Sequence, residues 1–206
     1  FTYAMEKVYG TSHEIDWEHI EGHTDMTVFL STLTKKGLSK EEIQKGLPQA
    51  FELIYQHFSD NVGDDYKESI LPGAKEILET LKDKVHIGTL TGNVEKIAWH
   101  KLDLVGLRSY FEFGLFGHEA EDRPSLARLV HAKAKKHFGM DFKSDSIYFI
   151  GDTPRDIACA REIGAKVIIV TTGKYKKDEL MKHKPDLLVA NLNDPKILTF
   201  IFNDTI

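Results

Sequence analysis

The chain has 206 residues, enough to bury a hydrophobic core without disulfide bonds and to hold one sizeable domain or a core domain with a smaller insertion. Its 41% hydrophobic and 29% charged residues are typical of a globular protein, and its net charge of −5 argues against a nucleic-acid-binding surface, which is normally basic. A single cysteine, Cys159, excludes an internal disulfide framework, and no apolar run is long enough to cross a membrane. These features predict a cytoplasmic protein without a nucleic-acid or membrane partner.

Helices are predicted throughout residues 1–68, where no segment has the pattern of a strand. Phe1–Tyr9, Asp25–Lys36 and Ser39–Asp60 carry apolar residues at helical spacing. The last of these helices begins with a capping-box pattern, Ser39 with Glu42, and Pro48 is expected to split or kink it. We predict a small all-helical domain over residues 1–68.

Residues 69–206 show a different pattern after Leu71-Pro72-Gly73, because short apolar runs alternate there with helices. The predicted strands are Val85–Leu90, Phe111–Phe116, Ile147–Ile150, Lys166–Val170 and Leu187–Val189. The predicted helices are Ala74–Lys82, Val94–Leu104, Ser125–Phe138, Pro154–Ile163 and Lys177–Lys182. Continuous β-branched runs are typical of strands buried on both faces, and their alternation with helices predicts an α/β core with a doubly wound parallel sheet.

The segment Ile147–Asp156 carries the strongest functional pattern. A predicted buried strand runs into Gly151, so Asp152 lies at the carboxyl end of that strand, where open α/β sheets bind ligands. Pro154 suits the first turn of the next helix, which places Asp156 one turn beyond Asp152. Two carboxylates at this spacing predict a Mg²⁺ site that also receives a substrate phosphate. The alternative is that Asp152 caps the helix and Asp156 is a solvated acid in its first turn.

A second strand, Val85–Leu90, runs into the turn Thr91-Gly92-Asn93 and then into a helix. Thr91 provides a hydroxyl group, and the amides of Gly92 and Asn93 lie where a helix N-terminus attracts anions. We predict that this turn binds phosphate oxygens, with plain N-capping by Thr91 or Asn93 as the alternative. Because parallel strands end at the same edge of a sheet, we expect Thr91 and Asp152 to face one crevice.

A cation for the site is predicted at Arg123, within Glu121–Ser125 and just ahead of a helix. Its charge would pair with a substrate phosphate and stabilise the transition state. An arginine beside two acids is also typical of a solvated surface ion pair, and that alternative stays open.

The turn Glu21–Asp25 in the helical region offers candidate substrate contacts at His23, Thr24 and Asp25. The alternative is a glycine turn in which Thr24 caps the following helix. His19 and His23 could share one helix face, but no cysteine lies nearby, so the sequence does not favour a zinc site there.

Together these residues resemble the haloacid dehalogenase-like superfamily, in particular phosphatases of the phosphoglycolate phosphatase type with a helical cap inserted early in the chain. The second motif of that family matches the strand ending at Thr91, and its fourth matches Gly151-Asp152-x-x-x-Asp156. Its basic third motif falls at Arg123, where lysine is usual. The resemblance covers essentially the whole chain and implies a cap over residues 1–68 and a Rossmann-like core over residues 69–206.

The first motif of the family, Asp-x-Asp-x-Thr or Val, has no match in the chain. In the family it supplies the nucleophile and the general acid/base, and it ends a central strand between the strands that end at Thr91 and Asp152. Without that strand both neighbours would expose unpaired backbone groups. We therefore expect the motif upstream of Phe1 and expect the chain alone to be inactive.

The resemblance implies a Mg²⁺-dependent phosphatase that hydrolyses a small phosphorylated metabolite through an aspartyl-phosphate. Thr91, Arg123 and Asp152 would be catalytic, Asp152 and Asp156 would hold Mg²⁺, and the two predicted turns would contact the substrate. Three alternatives stay open: a haloacid dehalogenase, a phosphomutase or phosphonate hydrolase on the same scaffold, and a non-catalytic phosphoester-binding or partner-binding protein. The sequence indicates neither the particular substrate nor the oligomeric state.

Overall fold

The computed structural model describes residues 1–17, 23–63, 66 and 70–203. In chain order the elements are α1 (Thr2–Tyr9), α2 (Asp25–Thr34), α3 (Lys40–Asn61), α4 (Ala74–Leu81), β1 (Gly88–Leu90), α5 (Glu95–Leu104), β2 (Phe113–Leu115), α6 (Arg123–Arg128), α7 (Val130–Phe138), β3 (Tyr148–Gly151), α8 (Pro154–Glu162), β4 (Lys166–Val170), α9 (Lys177–Lys182), β5 (Leu187–Val189) and α10 (Lys196–Asn203). None of the helices in the described ranges is both long enough and apolar enough to span a membrane.

The chain forms two compact units. The first comprises Phe1–Glu68, Leu90–Arg108 and Gly114–Arg123, and the second comprises Ser69–Thr89, Ser109–Phe113 and Pro124–Ile206. The predicted helical domain thus shares its unit with two later segments of the chain. The predicted domain boundary between residues 68 and 69 stays a prediction.

Four helices of the first unit, α1, α2, α3 and α5, pack around one hydrophobic core. Each contributes the apolar stripe that its sequence shows: Met5 from α1, Phe29 from α2 and Ile43 from α3 are completely buried. Ile97 joins them from α5. Helix α5 follows β1, so the core includes a helix from outside the predicted helical domain.

Helix α3 continues through Pro48 without a break, so the predicted split does not occur. Ser39 and Glu42 form the predicted capping box at its start. Proline in a helix interior removes one backbone donor and costs about 3 kcal/mol. The neighbouring Leu47 and Ala50 are buried in the core, and we attribute the continuity of the helix to this packing.

The second unit contains a three-stranded parallel sheet in the order β3-β4-β5. On β4, Val167 and Ile169 pack with residues of α8 and α9, whereas Ile168 and Val170 pack with residues of α4 and α10. Because side chains alternate across a strand, helices cover both faces of the sheet. This arrangement confirms the predicted α/β class with a parallel sheet.

The strands differ from the prediction in their burial. β4 is buried as expected, but Ile150 of β3 is 39% exposed, and Gly88 of β1 is exposed as well. Both runs leading to Gly151 and Thr91 form strands as predicted, but within residues 1–206 these strands are only partly buried, so the prediction of full burial is wrong. β4 has a neighbour on each side, whereas β3 is an edge strand of its sheet and β1 pairs with β2 in a separate two-stranded sheet.

One predicted helix needs correction, and one helix of the structure was not predicted. The helix predicted over Ser125–Phe138 is interrupted at Leu129, between α6 and α7. Buried residues continue at a spacing of four across the interruption, at Leu126, Val130 and Ala134. The sequence pattern therefore does not indicate the interruption. Helix α10 was not predicted, although Ile197 and Ile201 have the same spacing and are buried against the sheet.

Candidate functional site

The carboxyl end of β3 leads directly into Asp152, and helix α8 begins two residues later at Pro154. Thr153 is the N-cap: its hydroxyl accepts a hydrogen bond from the Asp156 amide at 3.3 Å, and Asp156 Oδ2 accepts one from the Thr153 amide at 3.0 Å. These reciprocal bonds form a capping box, which satisfies two amides at the start of the helix. The alternative in which Asp152 caps the helix is therefore wrong.

Asp156 fixes the turn that carries Asp152. Its Oδ2 atom also accepts hydrogen bonds from the Asp152 amide at 3.2 Å and from the Thr153 hydroxyl at 2.8 Å. Asp156 is only 8% exposed, so it is not the solvated acid of the alternative interpretation. A Cβ atom on Gly151 would lie 2.3 Å from Asp156 Cγ, so this close approach requires glycine. The turn therefore holds Asp152 at the strand end.

The turn after β4 borders the same carboxylate, because a Cβ atom on Gly173 would lie 2.2 Å from Asp152 Oδ2. Mg²⁺ binds one or two protein carboxylates and keeps several waters. Asp152 suits the role of a direct ligand, whereas Asp156 Oδ2 already accepts three hydrogen bonds from Asp152 and Thr153. No group of three or more His, Cys, Asp or Glu side chains in the described ranges could hold a metal ion. The predicted pair therefore fits Mg²⁺ only when waters or a further carboxylate complete the shell.

In the first unit, the turn Thr91–Asn93 joins β1 to α5. The Asn93 amide donates to Thr91 Oγ1 at 3.2 Å, which leaves the hydroxyl hydrogen for another acceptor. The amide of Val94, the N-cap residue of α5, donates to Asp25 Oδ2 at 2.7 Å. Neither Thr91 nor Asn93 caps α5, so that alternative is wrong: the acceptor at the helix start comes from Asp25, 69 residues earlier.

Asp25 lies at the centre of a short polar chain and is 5% exposed. Its Oδ1 accepts a hydrogen bond from Asn93 Nδ2 at 3.4 Å, and Asn93 Oδ1 accepts one from Lys101 Nζ at 2.8 Å. Burial raises the pKa of Asp25 from 3.8 to about 6, while the hydrogen bonds from Val94 and Asn93 and the charge of Lys101 oppose the rise. Burial also lowers the pKa of Lys101, and the charge of Asp25 opposes that change.

Backbone hydrogen bonds hold the same turn from two sides. The Asp25 amide donates to the Gly92 carbonyl at 2.7 Å, and the Gly117 amide donates to the Asn93 carbonyl at 2.8 Å. Both glycines are required by close packing: a Cβ atom on Gly92 would lie 2.2 Å from the His23 carbonyl oxygen, and one on Gly117 would lie 1.7 Å from the Gly92 carbonyl oxygen. The turn is therefore closely enclosed by backbone.

The predicted substrate contacts of the helical region are mostly turned inward. Thr24 is completely buried, and its hydroxyl accepts from the Thr27 amide at 3.2 Å and donates to the Glu121 carbonyl at 2.9 Å. Thr24 thus caps α2, as the alternative interpretation had it. The burial of Thr24 and Asp25 does not support a direct substrate contact, whereas for His23 that role stays a prediction. Residues 18–22, including His19, lie outside the described residues.

Arg123 is the first residue of α6 and is half-buried. It belongs to the first unit with Thr91, whereas Asp152 and Asp156 belong to the second. Glu121, one of the acids expected beside it, forms an ion pair with Lys40. The predictions that Arg123 neutralises phosphate charge, and that Thr91 and Asp152 face one crevice, stay predictions.

Four contributors were not identified from the sequence: Thr153, Gly173, Gly117 and Lys101. Thr153 has a readable signal, because Thr-x-x-Asp before an apolar stretch is a capping-box pattern. Lys101 lies eight residues after Asn93, which is about two helical turns. This spacing indicates that the two side chains lie on the same side of the helix. The two glycines act through tertiary contacts and carry no such local signal.

Comparison with known proteins gives a family match and similar sequences. Residues 2–170 match the family model described as haloacid dehalogenase-like hydrolase. The chain is 26% identical over 145 residues to a putative pyrophosphatase, PpaX, of Caldanaerobacter subterraneus, covering 67% of this chain and 61% of that protein. It is also 26% identical over 127 residues to a phosphoglycolate phosphatase of Synechococcus elongatus, covering 61% of this chain and 57% of the relative. The chain thus spans about three fifths of the length of these curated relatives.

Solved structures share the fold at low sequence identity. A β-phosphoglucomutase structure from Clostridium difficile superposes with a TM-score of 0.66 and 16% identity, covering 98% of this chain and 89% of that one. This likeness supports the fold, and the family model spans well over half of the sequence. The chain belongs to the haloacid dehalogenase-like hydrolase family.

Proposed function

We propose that the chain belongs to a Mg²⁺-dependent phosphatase that hydrolyses a small phosphorylated metabolite. The observation that carries the proposal is the position of Asp152. This residue lies at the end of a strand, the capping box of Asp156 holds its backbone, and the backbone of Gly173 lies beside its carboxylate. Relatives named as a pyrophosphatase and a phosphoglycolate phosphatase support a phosphate ester or anhydride as the substrate class.

Phosphate binding is assigned to the turn after β1. Thr91 would donate its hydroxyl hydrogen to a phosphate oxygen, and the backbone of Gly92 and Asn93 would line the same position near the start of a helix, where anions are favoured. Arg123 would neutralise negative charge on the transferring group. Asp152 would hold Mg²⁺ with Asp156 ordering its turn, and the bound ion would neutralise phosphate charge.

The nucleophile is expected from an Asp-x-Asp motif, which the sequence of this chain does not contain. One carboxylate would form a bond to phosphorus as the bond to the leaving oxygen breaks, giving an aspartyl-phosphate. The second would protonate the leaving alcohol and then take a proton from the water that hydrolyses the acyl phosphate. Residues 1–68 would act as the cap that excludes bulk water and selects the substrate.

The test uses protein expressed from its complete coding sequence. Phosphate release is measured from p-nitrophenyl phosphate, phosphoglycolate, pyrophosphate, sugar phosphates and nucleotides as Mg²⁺ is varied. We expect turnover that EDTA abolishes, that Asp152→Ala abolishes, and that survives Asp60→Ala, the same change at an exposed acid of α3. Full activity in EDTA would overturn the metal assignment. Turnover by residues 1–206 alone would contradict the expectation that the nucleophile comes from an Asp-x-Asp motif outside this chain.

A phosphomutase is the second candidate, because a β-phosphoglucomutase structure shares the fold. Formation of an isomeric sugar phosphate without free phosphate would favour it. Halide release that is insensitive to EDTA would favour a dehalogenase. A complete sequence that lacks both motif aspartates would favour a non-catalytic binding protein.

A further inference from the structure

Asp25 contacts the Thr91–Asn93 turn through both its backbone and its side chain. Its amide donates to the Gly92 carbonyl at 2.7 Å, and its Oδ2 accepts from the Val94 amide at 2.7 Å. One residue therefore holds the positions on either side of Asn93. Fixing both neighbours restricts the backbone angles of Asn93, whose amide donates to Thr91 Oγ1, the hydroxyl group that is assigned to phosphate.

The carboxylate also sets the orientation of the Asn93 side chain. Asn93 directs its Nδ2 towards Asp25 and its Oδ1 towards the ammonium group of Lys101. A carboxylate can only accept hydrogen bonds and an ammonium group can only donate them, so this order of partners allows a single orientation of the amide. The contacts of Asn93 with Asp25 and Lys101 thus favour one orientation of the Asn93 side chain in this turn.

We propose that Asp25 is a positioning residue that holds the Thr91–Asn93 turn in the arrangement that receives a phosphate group, an inference that rests on the proposed function of that turn. Asp25 is 5% exposed and acts through the backbone of Gly92 and Val94 rather than by touching the substrate. A group arranged before the ligand arrives does not have to be ordered when it binds, so affinity rises without a new contact.

The experiment compares Asp25→Ala, Asp25→Asn and the exposed-acid control Asp60→Asn in the complete protein. Two readouts do not require turnover: hydrogen exchange of the Val94 amide by NMR, and the Kd for inorganic phosphate by titration. Steady-state kinetics with p-nitrophenyl phosphate are the third readout. Asp25→Asn keeps one oxygen that can accept from Val94, so it separates loss of the acceptor from loss of the charge.

We expect Asp25→Ala to speed Val94 exchange, to weaken phosphate binding and to raise KM, each by about tenfold or more. Asp25→Asn should retain most of the Val94 protection with a smaller rise in Kd, and Asp60→Asn should match the wild type. If Asp25→Ala does not fold, Asp25→Glu takes its place, because it keeps the charge but displaces the carboxylate by one methylene group.

An unchanged phosphate Kd in Asp25→Ala overturns the inference, whether or not Val94 exchange changes. Phosphate binding that depends on Asp25, in a protein that releases phosphate from none of the substrates, supports the inference while the proposed function fails. A wild-type protein that does not bind phosphate overturns the role of the turn and of Asp25 together.

Discussion

Replacing Asp25 by asparagine should stabilise the protein at neutral pH, and the gain should shrink as the pH falls towards 4. Burial raises the pKa of Asp25 from 3.8 to about 6, so folding disfavours the ionised carboxylate. Well below pH 4 the group is neutral in both the folded and the unfolded chain and no penalty arises. Between pH 4 and 6 the folded state binds more protons than the unfolded state, so this group lowers stability as the pH rises. Above pH 6 the penalty is complete.

The size of the effect follows from the shift. A rise in pKa from 3.8 to about 6 corresponds to a penalty of about 3 kcal/mol at neutral pH. The side-chain amide of the Asp25→Asn variant is neutral at every pH and avoids this penalty, but the variant loses one long hydrogen bond to Asn93, worth about 1 kcal/mol. The variant should therefore be more stable by about 2 kcal/mol at pH 7 and slightly less stable than the wild type near pH 4.

Urea denaturation measures this difference at half-unit steps from pH 4 to 8, with fluorescence of Trp17 and Trp99 and circular dichroism as parallel probes. Asp60→Asn is the control, because its carboxyl group is exposed. The difference in unfolding free energy between Asp25→Asn and wild type should rise with pH and level off above pH 6. A difference that stays flat from pH 4 to 7 would refute the argument that Asp25 is buried and titrates near pH 6.

Three further substitutions test other contacts. Gly173→Ala should weaken Mg²⁺ binding by about tenfold or more, because the new Cβ would lie 2.2 Å from Asp152 Oδ2. Titration calorimetry measures the Kd for Mg²⁺, and an unaltered Kd would contradict a metal site at Asp152. Thr153→Ala removes the N-cap of α8 and should lower the free energy of unfolding by about 1 kcal/mol; Thr153→Ser should restore it. Pro48→Ala returns a backbone donor at an exposed position of α3 and should raise the free energy of unfolding by about 2 kcal/mol; a loss of stability would contradict the account of that helix.

Local signals in the sequence predicted local structure well. The bounds of β4, β5 and α9 agree with the prediction, and the capping box of Ser39 and Glu42 forms as expected. Predictions that depended on tertiary packing were less successful. Pro48 does not break α3, because residues far away in sequence hold both halves in one core. Ile150 is 39% exposed within residues 1–206, and the residue pattern of a single strand does not indicate what covers its faces.

The turns after β1 and β3 show where this limit lies, because in each one a buried carboxylate accepts hydrogen bonds from backbone amides at the start of a helix. After β3 the acceptor is Asp156, which lies in the first turn of the helix that Thr153 caps, so the pattern Thr153-x-x-Asp156 is contained in four residues and can be read from the sequence. After β1 the acceptor for the Val94 amide is Asp25, 69 residues earlier. No local pattern connects these two positions. The N-cap residue of α5, Val94, has no capping side chain, and the sequence does not show which distant residue supplies the acceptor. The distant acceptor also makes the second turn depend on tertiary structure: displacement of the start of α2 would remove the partner of Val94, whereas the Asp152 turn would keep its capping box. With phosphate bound at the Thr91–Asn93 turn, as proposed, we expect changes in the helical region that displace Asp25 to weaken that binding.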